Sequence, residues 1–405
     1  MLKKYFFNYT KRNFSTFSIW IKGGSDMDSN NKKGINKILC ELLTRGCEGF
    51  ENYKLSEYIE SYGAEFNHEI FEDGISLSIK SLNEHFHKLL PLVDLILDKP
   101  ILSEIEFLKV KKSSIDLIKK EKENPFNICY QKWKKLVYKN HPYAFNSIGN
   151  LEDVSRITYN DVLSEFENFK TRKKYLISNN LEINAENLKS EDEIDFQDSL
   201  SYKNNNLNDK DRFISSFHDS YQTIIMLGNQ TCTRKSNDYL ALKILESYLS
   251  YGMSSVLFRL FRENNGITYD LGVHNPIRCQ NTPFFIYLSV SNKKALFAFR
   301  LLSSLWNDLL LTQIADNDIF LAKEKLKSSF LIANQSLDDI LQRKIQLLSY
   351  GIVPVSNLDL NKRTDSVSPI DVFTVFKKYF SKPFLSVAGN KNICDQINQE
   401  WNKNF

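Results

Sequence analysis

Apolar positions recur with two periods along this chain, and the changes of period mark its elements. From Phe14 to Lys22, β-branched and aromatic residues alternate with polar ones, which predicts a strand ending at Gly23-Gly24. Between Gly34 and Gly46 the period changes: Ile35, Ile38, Leu39, Leu42 and Leu43 fall at i, i+3, i+4, i+7 and i+8, the buried stripe of a short helix. Its other face carries Asn36, Lys37, Cys40, Glu41 and Thr44, with Lys37 and Glu41 side by side four residues apart. That face either meets water or holds a site, and the pattern alone leaves both open. A second helical pattern over 55–62 stops at Gly63, and 64–81 reads as a hairpin turning at Asp73-Gly74 with Ile75, Leu77 and Ile79 on one face. Three helical stretches follow, roughly 82–97, 103–123 and 126–138, punctuated by Pro100 and Pro125, which sit badly inside helices. Thr158, with Asp161 three residues on, predicts a capping box opening a helix over 159–168, and 175–178 reads as a closing strand.

Residues 184–212 are polar and poor in apolar side chains, which predicts a linker. Beyond it the order of elements starts again. A strand from Tyr221 to Leu227 precedes helices from Asp238 to Leu249 and from Ser254 to Glu263, then a hairpin from Ile267 to Ser291. Helical stretches over 294–311, 316–349 and 369–380 match 82–97, 103–138 and 159–168, and a strand from Phe384 to Ala388 matches 175–178. Two copies of one α/β unit explain this order better than unrelated domains. The expected class is α+β, with a first domain over 1–183, the linker over 184–212 and a second domain over 213–405.

Composition narrows the functional classes. With 405 residues, 42% hydrophobic and 13% aromatic, the chain has ample material for packed cores. Its net charge of +4 (53 − 49) is small and mixed in sign, which argues against a nucleic-acid partner. Cys40, Cys47, Cys129, Cys232, Cys279 and Cys394 lack C-x-x-C spacing and read as buried thiols of a reducing, cytoplasmic compartment. Apolar runs such as 17–21 are far too short to span a bilayer, so a soluble protein without a membrane span is expected.

Several runs carry a resemblance. Gly23-Gly24-Ser25, then Gly34-x-x-Lys37-x-x-Cys40-Glu41-Leu42-Leu43-x-x-Gly46, Gly63-Ala64-x-x-Asn67, Asn124-Pro125, His141-Pro142-Tyr143 and Gly149 resemble the insulinase/pitrilysin-type zinc peptidases, the inverzincins. In the second half, Gly252-Met253-Ser254-Ser255-x-Leu257-Phe258 and Leu260-Phe261-Arg262-Glu263-x-x-Gly266-Ile267-x-Tyr269 resemble that family's C-terminal signature. The resemblance implies two homologous α/β units of the processing-peptidase type, each a mainly antiparallel sheet flanked by helices.

It also implies a chemistry that can be checked position by position. The family's H-x-x-E-H holds zinc with two histidines while the glutamate activates water. Here Lys37, Cys40 and Glu41 stand at those positions, and the third ligand's position, counted back from Asn124-Pro125, falls on Leu117 with Asp116 beside it. An ammonium repels a cation and leucine has no donor, so no metal and no catalytic residue is expected in this chain. Arg262 and Tyr269 match the pair that, in active relatives, binds the substrate carbonyl and steadies the oxyanion across the cleft. The alternative for each is an ordinary surface ion pair and a strand-packed ring. The stretch 64–69 sits where the family's sheet edge pairs with an extended peptide, which makes Asn67 a candidate contact; an ordinary edge strand is the alternative. The resemblance thus implies a non-catalytic subunit, zinc-free itself, pairing as a heterodimer with a homologous chain that carries H-x-x-E-H and the zinc, or forming a homodimer. Peptides are the expected substrates, with Arg262 and Tyr269 acting in trans. A purely structural role, like that of respiratory-complex core proteins, is a second reading. The non-catalytic subunit of mitochondrial processing peptidase is a third, but 249–253 supplies no glycine-rich loop. An independently active zinc endopeptidase fits these residues least.

Overall fold

The computed structural model describes residues 2–6, 13–51, 53–180, 212–268, 270–333 and 335–405. The expected linker lies outside these apart from Arg212, and Tyr269 lies outside them as well. Among the described residues, ten strands form two sheets. The first contains β1 (Leu2–Phe6), β2 (Phe14–Lys22), β3 (Glu65–Ile70), β4 (Gly74–Leu82) and β5 (Lys174–Ser178) in the order β1-β5-β2-β4-β3. The second contains β6 (Phe213–Phe217), β7 (Gln222–Gln230), β8 (Asp270–His274), β9 (Pro283–Ser291) and β10 (Phe384–Gly389) in the order β6-β10-β7-β9-β8. Each order is the other's image. In both, the edge pair is parallel (β1 with β5, β6 with β10) and the remaining pairs are antiparallel. The capping box at Thr158–Asp161 forms as expected and is repeated at Ser368–Asp371, each opening the helix that leads into a closing strand. The class is the expected mixed one, two mainly antiparallel sheets flanked by helices.

Some elements depart from expectation. The stretch 82–97 is not one helix, because Pro91 separates Phe86–Leu89 from Leu92–Asp98. The stretch 316–349 is two helices, Asp316–Ile332 and Leu337–Ser349, the second restarted by the Ser336 cap on the Asp339 amide. Strands β1 and β6, and helices Leu151–Arg156, Asn357–Asp365 and Lys391–Asn404, are additions.

The compact units do not follow the expected boundaries at 183 and 213. One unit comprises 1–120, 145–200 and 333–354; the other comprises 121–144, 201–332 and 355–405. Helix Leu337–Ser349, from the second half, packs on β2 and β5. Helix Pro125–Tyr138, from the first half, packs on β6, β7 and β10. These are equivalent elements of the two copies, so the exchange is reciprocal. In the first sheet, Phe17, Ile19 and Ile21 join the core under that sheet's own helices. The other face of β2 meets the donated segment: Thr16 Oγ1 donates to Asp338 at 2.7 Å, and fully buried Trp20 lies edge-on to Tyr350 at 6.3 Å. In the second unit, Trp133 of the donated helix packs on Phe285 at 4.7 Å, and the Cys129 thiol reaches the Ser386 carbonyl at 3.3 Å. Each sheet is therefore covered on both faces, and each half depends on a helix supplied by the other. A chain ending at residue 200 is expected to be insoluble on its own, because Trp20 and its neighbours lose their cover. Co-expression with 201–405 is expected to restore soluble material, measured by fractionation and size-exclusion chromatography.

Candidate functional site

The loop that follows β2 sets the helix carrying the zinc-motif positions. Gly34 precedes helix Ile35–Leu42 at φ 102°, a backbone conformation that suits glycine, and a Cβ there would come within 2.8 Å of the Ile148 carbonyl oxygen. Asp28 supplies the cap that Gly34 lacks. Its carboxylate accepts from the Gly34 amide at 2.6 Å, the Asn36 amide at 3.1 Å and Asn36 Nδ2 at 2.8 Å. Buried Asn36 is thus turned towards Asp28, while Ile35, Ile38, Leu39 and Leu42 fill the core as the pattern predicts.

Burial raises the carboxyls of this loop. Asp28 is pushed up to about 6 by burial, with its hydrogen bonds opposing, and Asp26 up to about 7 by burial and by the neighbouring Asp73. Folding therefore binds their protons more tightly, so their stabilising contribution is full at low pH and is lost as pH rises through about 6 to 7. His141 works in the opposite sense below pH 6.5, since burial holds it down to about 4. A single variant isolates the first effect. Asp26→Asn keeps an acceptor for the Gly24 amide and is expected to exceed the wild type by roughly 1–2 kcal/mol, a few degrees in Tm, at pH 8. The difference should vanish near pH 4 in parallel thermal melts.

On the remaining face of the helix, Lys37 Nζ donates to Glu41 Oε1 at 2.5 Å with both side chains mostly buried. Cys40 between them is 0% exposed, and burial pushes its thiol up to about 12, with Lys37 opposing and Glu41 and Glu69 adding to the rise. The face that the pattern left open is mostly closed. Leu117, on helix Glu104–Glu121, is 37% exposed, and Asp116 next to it faces Lys119 at 3.8 Å. These residues do not fit a zinc ion: an ammonium already paired with the one carboxylate, a thiol held protonated by burial, and an aliphatic side chain offer no set of ligands. Among the described residues, no group of three His, Cys, Asp or Glu side chains is arranged to hold a metal.

Alongside lies the sheet edge. Among the described residues β3 pairs with β4 alone, and Glu65, Asn67, His68 and Glu69 are exposed along it. A groove of about 800 Å³ runs beside this edge, lined by Arg45, Tyr53, Glu60, Phe66, Asn67 and His68 among others. His68 is exposed along the strand, yet partial desolvation of its ring, with Lys37 and Arg45, holds the imidazole below its usual range against the pull of Glu41.

Arg262 belongs to the other unit and lies in a π-helical turn, Phe258–Glu263. Leu257 and Phe261 are fully buried and fix that turn, while Arg262 is exposed with its guanidinium 4.7 Å from the Phe258 ring centre.

A further polar cluster lies outside the expected sites, and only aligning the two copies residue by residue gives a signal for it. Lys37-Ile-Leu-Cys-Glu-Leu-Leu-Thr-Arg-Gly46 aligns with Lys243-Ile-Leu-Glu-Ser-Tyr-Leu-Ser-Tyr-Gly252 on helix Asp238–Ser250, sharing Lys, Ile, Leu, Leu and Gly. Lys243 thus stands where Lys37 does, and Glu246 where Cys40 does. Lys243 Nζ donates to Glu246 Oε2 at 2.8 Å and to the Asn275 carbonyl at 2.7 Å; Asn275 Nδ2 donates to Glu246 Oε2 at 3.0 Å, and the Tyr251 hydroxyl to Oε1 at 3.3 Å. Burial alone would lower Lys243, but Tyr239 and Glu246 outweigh it and hold the ammonium above its usual range.

Two family models match the chain. Residues 6–149 match the model described as insulinase (peptidase family M16), and residues 188–326 match the model described as peptidase M16 inactive domain. The chain belongs to the insulinase family. The chain is 22% identical over 326 residues to a protein of Rickettsia felis named as an uncharacterized zinc protease, covering 78% of this chain and 77% of that one. A protein of the same name from Rickettsia bellii is 21% identical over 338 residues, covering 82% and 81%. In fold the chain is similar to the crystal structure of a peptidase M16 inactive domain from Pseudomonas fluorescens, with a TM-score of 0.82 at 20% identity over 95% of each chain. A protease from Helicobacter pylori aligns with a TM-score of 0.79 at 18% identity, over 93% of this chain and 95% of that one. As expected, no helix among the described residues is long and apolar enough to cross a membrane.

Proposed function

We propose that this insulinase-family chain is a non-catalytic subunit of a two-chain zinc peptidase. Its partner is a homologous chain with an intact H-x-x-E-H, which holds the zinc, and its substrates are peptides. One observation carries the reading: the positions of both zinc ligands and the general base hold a Lys37–Glu41 ion pair around a buried thiol, so water activation has no group to perform it here. The match of 188–326 to a model described as an inactive domain is consistent with this. In the assembly Arg262, exposed on its π-helical turn, donates hydrogen bonds to the scissile carbonyl oxygen without changing protonation, and Tyr269 joins it. The open β3 edge and its groove support peptide capture by strand addition, with Asn67 contributing.

A scaffold role is favoured less, since it gives the open β3 edge and its groove nothing to do. The zinc protease names of the Rickettsia relatives raise an independent peptidase, but the residues at 37, 40, 41 and 117 give it no ligands. The test is affinity purification of the tagged full chain from its own cells, with mass measurement and peptide-hydrolysis assays. A homologous chain carrying H-x-x-E-H in equal amount, with hydrolysis needing both chains, is expected. Recovery of this chain alone, or of a complex with no such homologue, contradicts the proposal.

A further inference from the structure

The charges lining the β3 groove are segregated. Near the end of the zinc-motif helix, Arg45 is exposed, has no ion-pair partner among the described residues, and adds to the lowering of the His68 imidazole after burial and Lys37. At the other end, exposed Glu60 closes helix Tyr53–Glu60 and exposed Glu65 opens β3, and neither has an ion-pair partner among the described residues. The remaining charged pair of the lining, Lys109 with Glu106 at 2.7 Å, is neutralised internally. Glu65 and His68 are three residues apart on an extended strand, roughly 10 Å. Among the charged side chains lining the groove, Arg45 thus stands near one end and Glu60 and Glu65 near the other, beside β3 backbone groups that have no strand partner among the described residues.

We propose that this groove selects extended peptide segments that carry an acidic side chain opposite Arg45 and a basic side chain two to four positions further on, opposite Glu60 and Glu65. The inference rests on the peptide-capturing role proposed above and adds a specificity to it. Antiparallel addition, the more stable pairing, runs opposite to β3 and puts the acidic residue N-terminal to the basic one. The acidic group is then a side chain and not a terminal carboxylate, so amidation of the peptide C-terminus leaves binding unchanged. Phe66 and Tyr53 line the same groove and accept apolar residues between the two charges.

The experiment is fluorescence anisotropy of labelled peptides of about ten residues with the full chain, at low and at physiological salt. Three peptides share one apolar framework: acid before base, base before acid, and neutral. The first is expected to bind about three- to five-fold tighter than the neutral peptide per matched charge, with the gain shrinking as salt rises, and the reversed peptide no tighter than the neutral one. Arg45→Glu and Glu65→Lys are exposed substitutions that should each remove one charge's share, and together they should favour the reversed peptide. Equal binding of all three peptides, or a preference unchanged in Arg45→Glu, overturns the selectivity while leaving peptide capture standing. Absence of binding by every peptide removes peptide capture itself, and the selectivity with it.

Discussion

Arg262→Ala is expected to cut peptide hydrolysis by the proposed two-chain enzyme about 10²–10³-fold, while the complex still forms and still binds peptide. The size follows from where charge appears. A carbonyl oxygen gains a full negative charge only as the tetrahedral intermediate forms, so a guanidinium donating to it stabilises the transition state far more than the bound substrate. The π-helical turn is suited to present such a group, since Leu257 and Phe261 are locked in the core and the Phe258 ring lies 4.7 Å from the guanidinium. Arg262→Lys keeps the charge but loses the planar fork, and is expected to recover only part of the rate. The measurement is steady-state hydrolysis by the purified complex, with the loss falling on kcat more than on KM. An unchanged kcat in Arg262→Ala contradicts the assigned role, and Tyr269→Phe provides the matching test of the second donor.

A loss of stability of about 3–5 kcal/mol is expected for Lys243→Met, because the change leaves the Glu246 carboxylate buried and without its cation. Glu246 keeps hydrogen bonds from Asn275 and Tyr251, yet these neutral donors do not replace an ammonium at 2.8 Å. Burial and the Glu246 charge raise the Tyr251 hydroxyl to about 12, so it stays a neutral donor to the carboxylate and supplies no compensating charge. Lys243→Met with Glu246→Leu removes both charges and is expected to regain most of the loss, as isosteric apolar replacement of a buried pair commonly does. Denaturant unfolding of the three variants measures both effects. Equal losses in the single and double variants would show that packing, and not the unpaired charge, sets the cost.

Much of the fold could be read from periodicity. The stripe from Ile35 to Leu43, the hairpin at Asp73-Gly74 and the Thr158 capping box each carry a local signal, and each forms where that signal lies. The partner of an amphipathic face carries no local signal, which is why the exchange of helices Pro125–Tyr138 and Leu337–Ser349 was hidden. Thr16 and Ser18 made β2 look half-solvated, but they are buried because a donated helix covers that face. The edge strands β1 and β6 are short and pair only through distant residues, and they too were missed.

The site divides in the same way. Residue identity at 37, 40, 41 and 117 is enough to test a metal chemistry, because ligand atoms are a property of the side chain. The closing of Cys40, the capping of the helix by Asp28 and the Lys243–Glu246 cluster depend on burial and on contacts between residues far apart in the chain, which spacing does not encode.

The central claim, that this chain lacks the zinc chemistry and supplies the rest of a peptidase to a partner, is tested most directly by one paired measurement. The purified full chain is incubated with zinc, desalted, and analysed for bound metal and for peptide hydrolysis, alone and after addition of the homologous chain that carries H-x-x-E-H. The account predicts far less than one zinc per chain and no hydrolysis alone, with hydrolysis appearing once the partner is present. One tightly held zinc per chain, with chelator-sensitive hydrolysis by this chain alone, would contradict it.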